Sequence, residues 1–292
     1  MRDYIIMTDS CCDLSQQEVE ELELTVLPLS FTIEGKTLLN TPDHADMSPE
    51  EFFAKIAAGA DCTTAAANVG QFTDAMEKVL QESKDILCVC FSSALSTTYQ
   101  SACIAAEDLR EKYPEAKILV IDSLSASRGQ GMLLYRAVRE RREKNLTIDE
   151  LDAYVRSIIQ SQCHWFIVDD LNHLKRGGRV SSTAALVGTM LGIKPVMHTD
   201  SEGRLTPVSK ARGTKAALRA LVDKVGEIGV EPAKNQPVLI CHANCPESVE
   251  YVKGLLKERF GVTDVRDEFI GPVIGAHTGC GTLGLFFVGT ER

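Results

Sequence analysis

DILCVCFSSALS, residues 85–96, reads as a buried strand running into a small polar loop. Ile86 to Phe91 is apolar without alternation, as a strand is when both of its faces are covered. The run is too short for a helix of ordinary length, and Ser92-Ser93-Ala94-Leu95-Ser96 ends it with hydroxyls at a turn. YIIMTDS at 4–10 and KILVIDS at 117–123 repeat the pattern, ending in Thr8-Asp9-Ser10 and Asp122-Ser123. TVLPLSFTI at 25–33 reads as one more strand. Between strands lie helix starts. Ser48-Pro49-Glu50-Glu51 places a cap, a first-turn proline and a capping-box glutamate in order, and Thr147-Ile-Asp-Glu150 repeats that logic. Alternating strands and helices of this kind predict a parallel sheet covered on both faces, up to about residue 160.

The rest of the chain is patterned differently. HWFIVDD at 164–170 is a strand, and STAALVGTMLG at 182–192 a small-residue helix. IKPVMHTD and RLTPVSKAR flank the turn Ser201-Glu-Gly-Arg204 and predict a hairpin. A helix over 213–229, a strand over 237–243, a helix from Pro246 and a closing pair of strands follow. The expected fold is therefore α/β: an N-terminal parallel-sheet α/β domain over 1–160 and a C-terminal mixed-sheet α+β domain over 161–292. A chain of 292 residues suits two such units.

Composition narrows the function. Thirty-one Lys and Arg against 41 Asp and Glu give a net charge of −10, a poor match for a phosphate backbone, so no nucleic-acid partner is expected. No apolar run approaches the roughly 20 residues of a membrane span. MRDYIIMTDS turns polar too soon for a signal peptide, so the expected location is cytoplasmic, and the ten cysteines read as reduced, mostly buried thiols. Neither a paired CxxC motif nor a histidine pair signals a metal, and no cofactor is expected.

Three strand ends carrying Ser, Thr and Asp offer either helix caps or, together, an anion site outside the carboxyl ends of the sheet. Gly279-Cys-Gly-Thr-Leu-Gly284 matches GxGxxG by letter, but a strand follows it rather than a helix, so the dinucleotide reading fails. A tight loop near His277 that admits a ligand is the expectation instead. A nucleophilic serine would need a base and normally a GxSxG elbow; no GxSxG occurs. Arg176-Gly-Gly-Arg179 is a basic turn suited to hold a guanidinium over a carboxylate.

Taken in order, these motifs resemble the DegV family of bacterial fatty-acid-binding proteins over essentially the whole chain. The matching stretches are Thr8-Asp9-Ser10, Ser92-Ser93-x-Leu95-Ser96 with Thr98-Tyr99-Gln100, Asp122-Ser123, Leu174-Lys-Arg-Gly-Gly-Arg179, Ile193-Lys-Pro195, Lys210-x-Arg212 and His277-Thr-Gly279. The resemblance implies a fatty acid in a tunnel between two domains, with its carboxyl held by Thr64, Ser96, Arg179 and His277. It also implies a carrier without a catalytic centre, presenting the acid to a separate fatty acid kinase that makes an acyl phosphate. Docking near Lys175, Arg176, Lys210 and Arg212 is the charge-based expectation. Tunnel lining is expected from Ala184, Ala185, Leu186, Met190 and Leu191. Two positions depart from the family pattern. Ala65 replaces a serine, leaving Thr63 as a substitute hydroxyl, and Thr97 replaces a glycine in the turn after Ser96. The rival expectation is a serine acyl hydrolase using Ser96 and His277.

Overall fold

The computed structural model describes residues 3–180 and 192–292. Strands β1 (Tyr4–Asp9), β2 (Leu24–Leu27), β6 (Asp85–Cys90) and β7 (Ile118–Asp122) form a parallel sheet in the order β2-β1-β6-β7. Every residue of β6 is buried, as its unbroken apolar run requires. Alternation along the strands feeds two cores. Ile6, Leu87 and Val89 pack with Leu133, Leu134 and Val155 on one face. Met7, Ile86 and Cys88 pack with Phe72, Met76 and Ala105 on the other. The helices over these faces include α3 (Val69–Gln81), α4 (Thr98–Lys112), α5 (Arg128–Lys144) and α6 (Ile148–Ile158).

The segment 25–33 is not one strand. It divides at Pro28: β2 ends at Leu27, and β3 (Leu29–Ile33) enters a separate antiparallel sheet with β4 (Lys36–Asn40) and β5 (Cys62–Ala65). Proline has no N–H to give a ladder and is confined to edges and breaks, so the chain changes sheets there. Glu34 and Gly35 both take positive φ, 52° and 76°, which closes the β3–β4 hairpin with the twist that two-residue loops favour. Helix α2 (Pro49–Ala57), capped by Ser48, covers this small sheet, with Phe31 and Phe52 packed edge-to-face at 5.7 Å.

Residues 162–288 build a six-stranded mixed sheet that starts with β8 (Gln162–Ile167) and is ordered β10-β9-β8-β13-β11-β12. The expected hairpin is present: β9 (Ile193–Thr199) pairs antiparallel with β10 (Leu205–Arg212). The last two strands are not partners. β12 (Val265–Phe269) and β13 (Leu283–Val288) flank β11 (Val238–His242), the first parallel to it and the second antiparallel. The helix between them, Pro272–Thr278, carries the chain across β11 and contacts β3 and β5 of the small sheet. The fold is thus a parallel-sheet α/β half and a mixed-sheet half. An apolar cluster of Phe31, Phe52, Leu239, Ile270 and Phe286 joins them.

All ten cysteines are free thiols. Among the described residues no helix is long and apolar enough to cross a membrane, and no group of His, Cys, Asp and Glu is placed to hold a metal ion. The expected small-residue lining at Ala184, Ala185, Leu186, Met190 and Leu191 lies outside the described residues.

Candidate functional site

A cavity of about 490 Å³ opens between the two halves, within the range of small-molecule sites. The first half supplies Leu29, Phe91 and Leu95 to its wall, and the second supplies Phe166, Leu174 and Phe286. Val273 and Ile274 come from the helix Pro272–Thr278. The wall is therefore mainly aliphatic and aromatic.

Thr64, Ser96, Arg179 and His277 all line this cavity, each delivered by a different element. Thr64 sits on β5 opposite Phe31 of β3, and its neighbour Thr63 projects to the other face. Thr64 Oγ1 lies 2.8 Å from His277 Nε2. His277 lies in the last turn of the helix Pro272–Thr278, and the absent Cβ of Gly177 makes room for its ring: a methyl group there would stand 2.2 Å from Nδ1. Burial first, and the charge of Arg179 second, hold the imidazole at about 4, so it is neutral near pH 7. Arg179 follows the short helix Leu171–Arg176. Its Nε donates to the Leu95 carbonyl at 3.1 Å and its Nη1 to the Gly177 carbonyl, which fixes the guanidinium beside the Ser96 turn. Ser96 Oγ shares a 2.8 Å hydrogen bond with Thr98 Oγ1 and accepts the Thr98 N–H at 3.2 Å.

Neither departure from the family pattern disturbs the arrangement. Thr97 takes φ −80° and ψ 1°, an ordinary conformation for a side-chain-bearing residue, so glycine is not required there. Thr63, the expected substitute for the missing serine, is exposed, pairs with Thr32 and is not among the cavity residues. A strand alternates faces, so with Thr64 turned to the cavity the Thr63 side chain points away from it.

Of the three polar strand ends, two act as caps. Asp9 accepts the N–H groups of Phe91 (2.7 Å) and Cys11 (3.0 Å), and Asp122 accepts those of Ser93 (3.1 Å) and Leu124 (3.0 Å). The 92–96 segment sends Ser93 and Ser96 to the cavity. The glycine loop 279–281 also differs from expectation. Both glycines have φ near +75°, but their open sides face His173 and Asp169, and the close backbone approach is to protein.

Sequence reasoning missed Gln100 and Ser127 on the cavity wall. Gln100 was visible inside the Thr98-Tyr99-Gln100 motif. Ser127 gave no signal, because its place depends on Asp13, 114 residues away, which accepts its hydroxyl at 2.5 Å. Asp13 also accepts the N–H of Gly271 at 3.1 Å, pinning the start of the His277 helix to the first half.

The fold and this cavity define a two-part α/β protein with a largely apolar pocket between its halves that gathers hydroxyls, a neutral imidazole and one guanidinium on its wall. The DegV family model matches residues 4–290, and the chain belongs to that family. A DegV domain-containing protein of Clostridium perfringens is 38% identical over 292 residues, spanning 100% of this chain and 99% of that protein. Among solved structures, a DegV family protein from Thermus thermophilus described for its fatty acid binding superposes with TM-score 0.86 at 28% identity, covering 99% of this chain and 100% of that one. A fatty-acid-binding DegV protein from Streptococcus agalactiae gives TM-score 0.85 at 25% identity, with 100% of each chain covered.

Proposed function

We propose that this protein binds one long-chain fatty acid, with its tail in the apolar cavity and its carboxylate held by Thr64, Ser96, Arg179 and His277. The observation that carries the reading is the convergence of those four side chains, from four separate elements, on one largely apolar pocket. The fatty acids bound by the Thermus and Streptococcus relatives support it.

The energetics agree. Burying roughly 14 methylenes at about 0.8 kcal/mol each is worth on the order of 11 kcal/mol. Association itself costs ~4 kcal/mol or more. The tail therefore supplies the affinity, and the polar groups need only orient the head and offset its desolvation. Arg179 supplies the positive charge; the neutral imidazole and the hydroxyls can donate hydrogen bonds.

The protein acts in this reading as a cytoplasmic carrier of two domains meeting near residue 160, not as a hydrolase. Ser96 is hydrogen-bonded to Thr98, and His277 to Thr64, so each half of a would-be Ser96–His277 dyad is engaged elsewhere. Presentation to a separate fatty acid kinase is the fuller form of the proposal. Lys175, Arg176, Lys210 and Arg212 are all exposed, as a docking face of that kind requires. Native mass spectrometry of the purified protein, followed by solvent extraction, tests the core of the reading. One long-chain fatty acid per chain is expected; recovery of no acyl species even after soaking with palmitate would overturn it. Association with a kinase is tested by reversing the four charges, which should abolish capture while leaving the bound acid in place.

A further inference from the structure

A second cavity, of about 420 Å³, lies between helix α5 and the six-stranded sheet and shares no described lining residue with the first. Arg136, Arg139 and Arg142 line it from successive turns of α5, and Arg266 faces it from β12. One carboxylate, Glu143, is also in the lining. Four guanidinium groups around one pocket run against the net charge of −10 carried by the whole chain.

Two of the four are matched. Arg142 donates to Glu23 at 3.0 Å and to the Glu21 carbonyl at 2.8 Å. Arg266 donates to Asp264 at 3.3 Å and to the Tyr135 hydroxyl at 2.9 Å. The other two are not. Arg136 gives Nη1 to Ser161 at 3.1 Å, but its Nε–H is buried with no acceptor. Arg139 is exposed and makes no hydrogen bond or ion pair with any described residue. Even when Glu143 is counted against one of this pair, one guanidinium is left without a counter-charge, and a buried donor without an acceptor, such as Nε of Arg136, is costly. Apolar lining comes from Met132 of the same helix and from Leu239 and Val288 of the sheet.

We infer that this cavity is a binding site for a small organic phosphate. Arg136 and Arg139 hold the phosphoryl oxygens, and the organic body lies against Met132, Leu239 and Val288. Guanidinium forks match phosphate oxygens bidentately, and the apolar wall favours a ligand with a body over a bare ion. The site is independent of the fatty acid reading, since neither arginine touches the first cavity.

Isothermal titration of the full-length protein with AMP, inorganic phosphate and citrate tests this. AMP should bind more tightly than inorganic phosphate, and citrate more weakly than AMP. Arg139→Gln should weaken AMP about tenfold, the loss expected for one charge-assisted bond, and Arg139→Lys should recover only part of it. Because Arg136 also touches Ser161, Arg136→Lys is read together with its thermal melting curve, so that a folding defect is seen as one. Fatty acid content should be unchanged in Arg139→Gln. Absence of AMP binding, AMP binding indifferent to Arg139, or citrate binding as tightly as AMP would each overturn the assignment.

Discussion

Thr64 Oγ1 and His277 Nε2 lie 2.8 Å apart, although 213 residues separate them in the chain. One rides on β5, an edge strand of the small antiparallel sheet, and the other on the helix that crosses over β11. The polar end of the cavity therefore forms only when both halves are in place.

Thr64→Val keeps the shape of the side chain and removes its hydroxyl. Hydrogen bonds to charged groups contribute roughly 1.5–3 kcal/mol. If Thr64 supports the carboxylate, displacement of a fluorescent fatty acid should show a loss of about ten- to a hundredfold, with the urea midpoint little changed. Unaltered affinity would place the head group elsewhere.

Gly177→Ala tests the seat of the imidazole. The backbone φ of −72° suits alanine, so the effect is purely steric: the new methyl meets His277 Nδ1 at 2.2 Å and the ring must move. Fatty acid affinity should fall by at least about tenfold, comparable to loss of a charge-assisted bond, while the chain still folds. Full retention of ligand would show that the ring position is unimportant.

Acidification should separate Asp13 from His277. Burial, with help from Arg179, lowers His277 from 6.5 to about 4, so the unfolded chain takes up a proton that the folded one refuses. Stability from this group is lost as pH falls from 6.5 towards 4. Asp13 is the reverse. Burial raises it from 3.8 to about 7, against the hydrogen bonds of Ser127 and Gly271, and the folded chain holds the extra proton. Its contribution grows as pH falls from 7 towards 3.8. Asp13→Asn should therefore lose stability more steeply than wild type between about pH 7 and about pH 5, and His277→Gln less steeply. Urea midpoints across that window decide it; parallel profiles for all three proteins would refute both assignments.

The buried pair Glu18–Arg128 should prove sensitive to removal of one partner. Arg128 is fully buried and grips Glu18 with two hydrogen bonds of 2.9 and 2.6 Å, while Nη1 also reaches the Asp13 carbonyl at 3.2 Å. Burial pushes the Glu18 carboxyl up, but Arg128 outweighs it and holds the group below its usual range. Glu18→Ala strands the guanidinium and should cost about 3–5 kcal/mol of unfolding free energy. A change under about 1 kcal/mol, the scale of an exposed pair, would show that water reaches the arginine.

The parallel half could be read from local pattern. Ile86 to Cys90 is apolar at every position, and Ser48 and Thr147 cap helices where their motifs say they should. Such signals need only a residue and its near neighbours. The change of sheets at Pro28 was harder, because apolar character continues on both sides and only the missing N–H marks the break. Gly177 gave even less. It lies in a basic turn, and its reason for being glycine is a ring 100 positions downstream.

Residue types and short-range order thus determined the strands, the caps, the acidic balance and the family motifs, since each is a property of a few adjacent side chains. Which of those motifs share a cavity was decided by tertiary structure alone. Strand alternation sends Thr64 inward and Thr63 outward. The crossing of β11 brings His277 to Thr64, and the packing of α5 against the mixed sheet brings Arg266 of β12 to the three arginines of α5. Distances of a few ångströms between residues far apart in the chain are set by how layers stack, which no local pattern encodes.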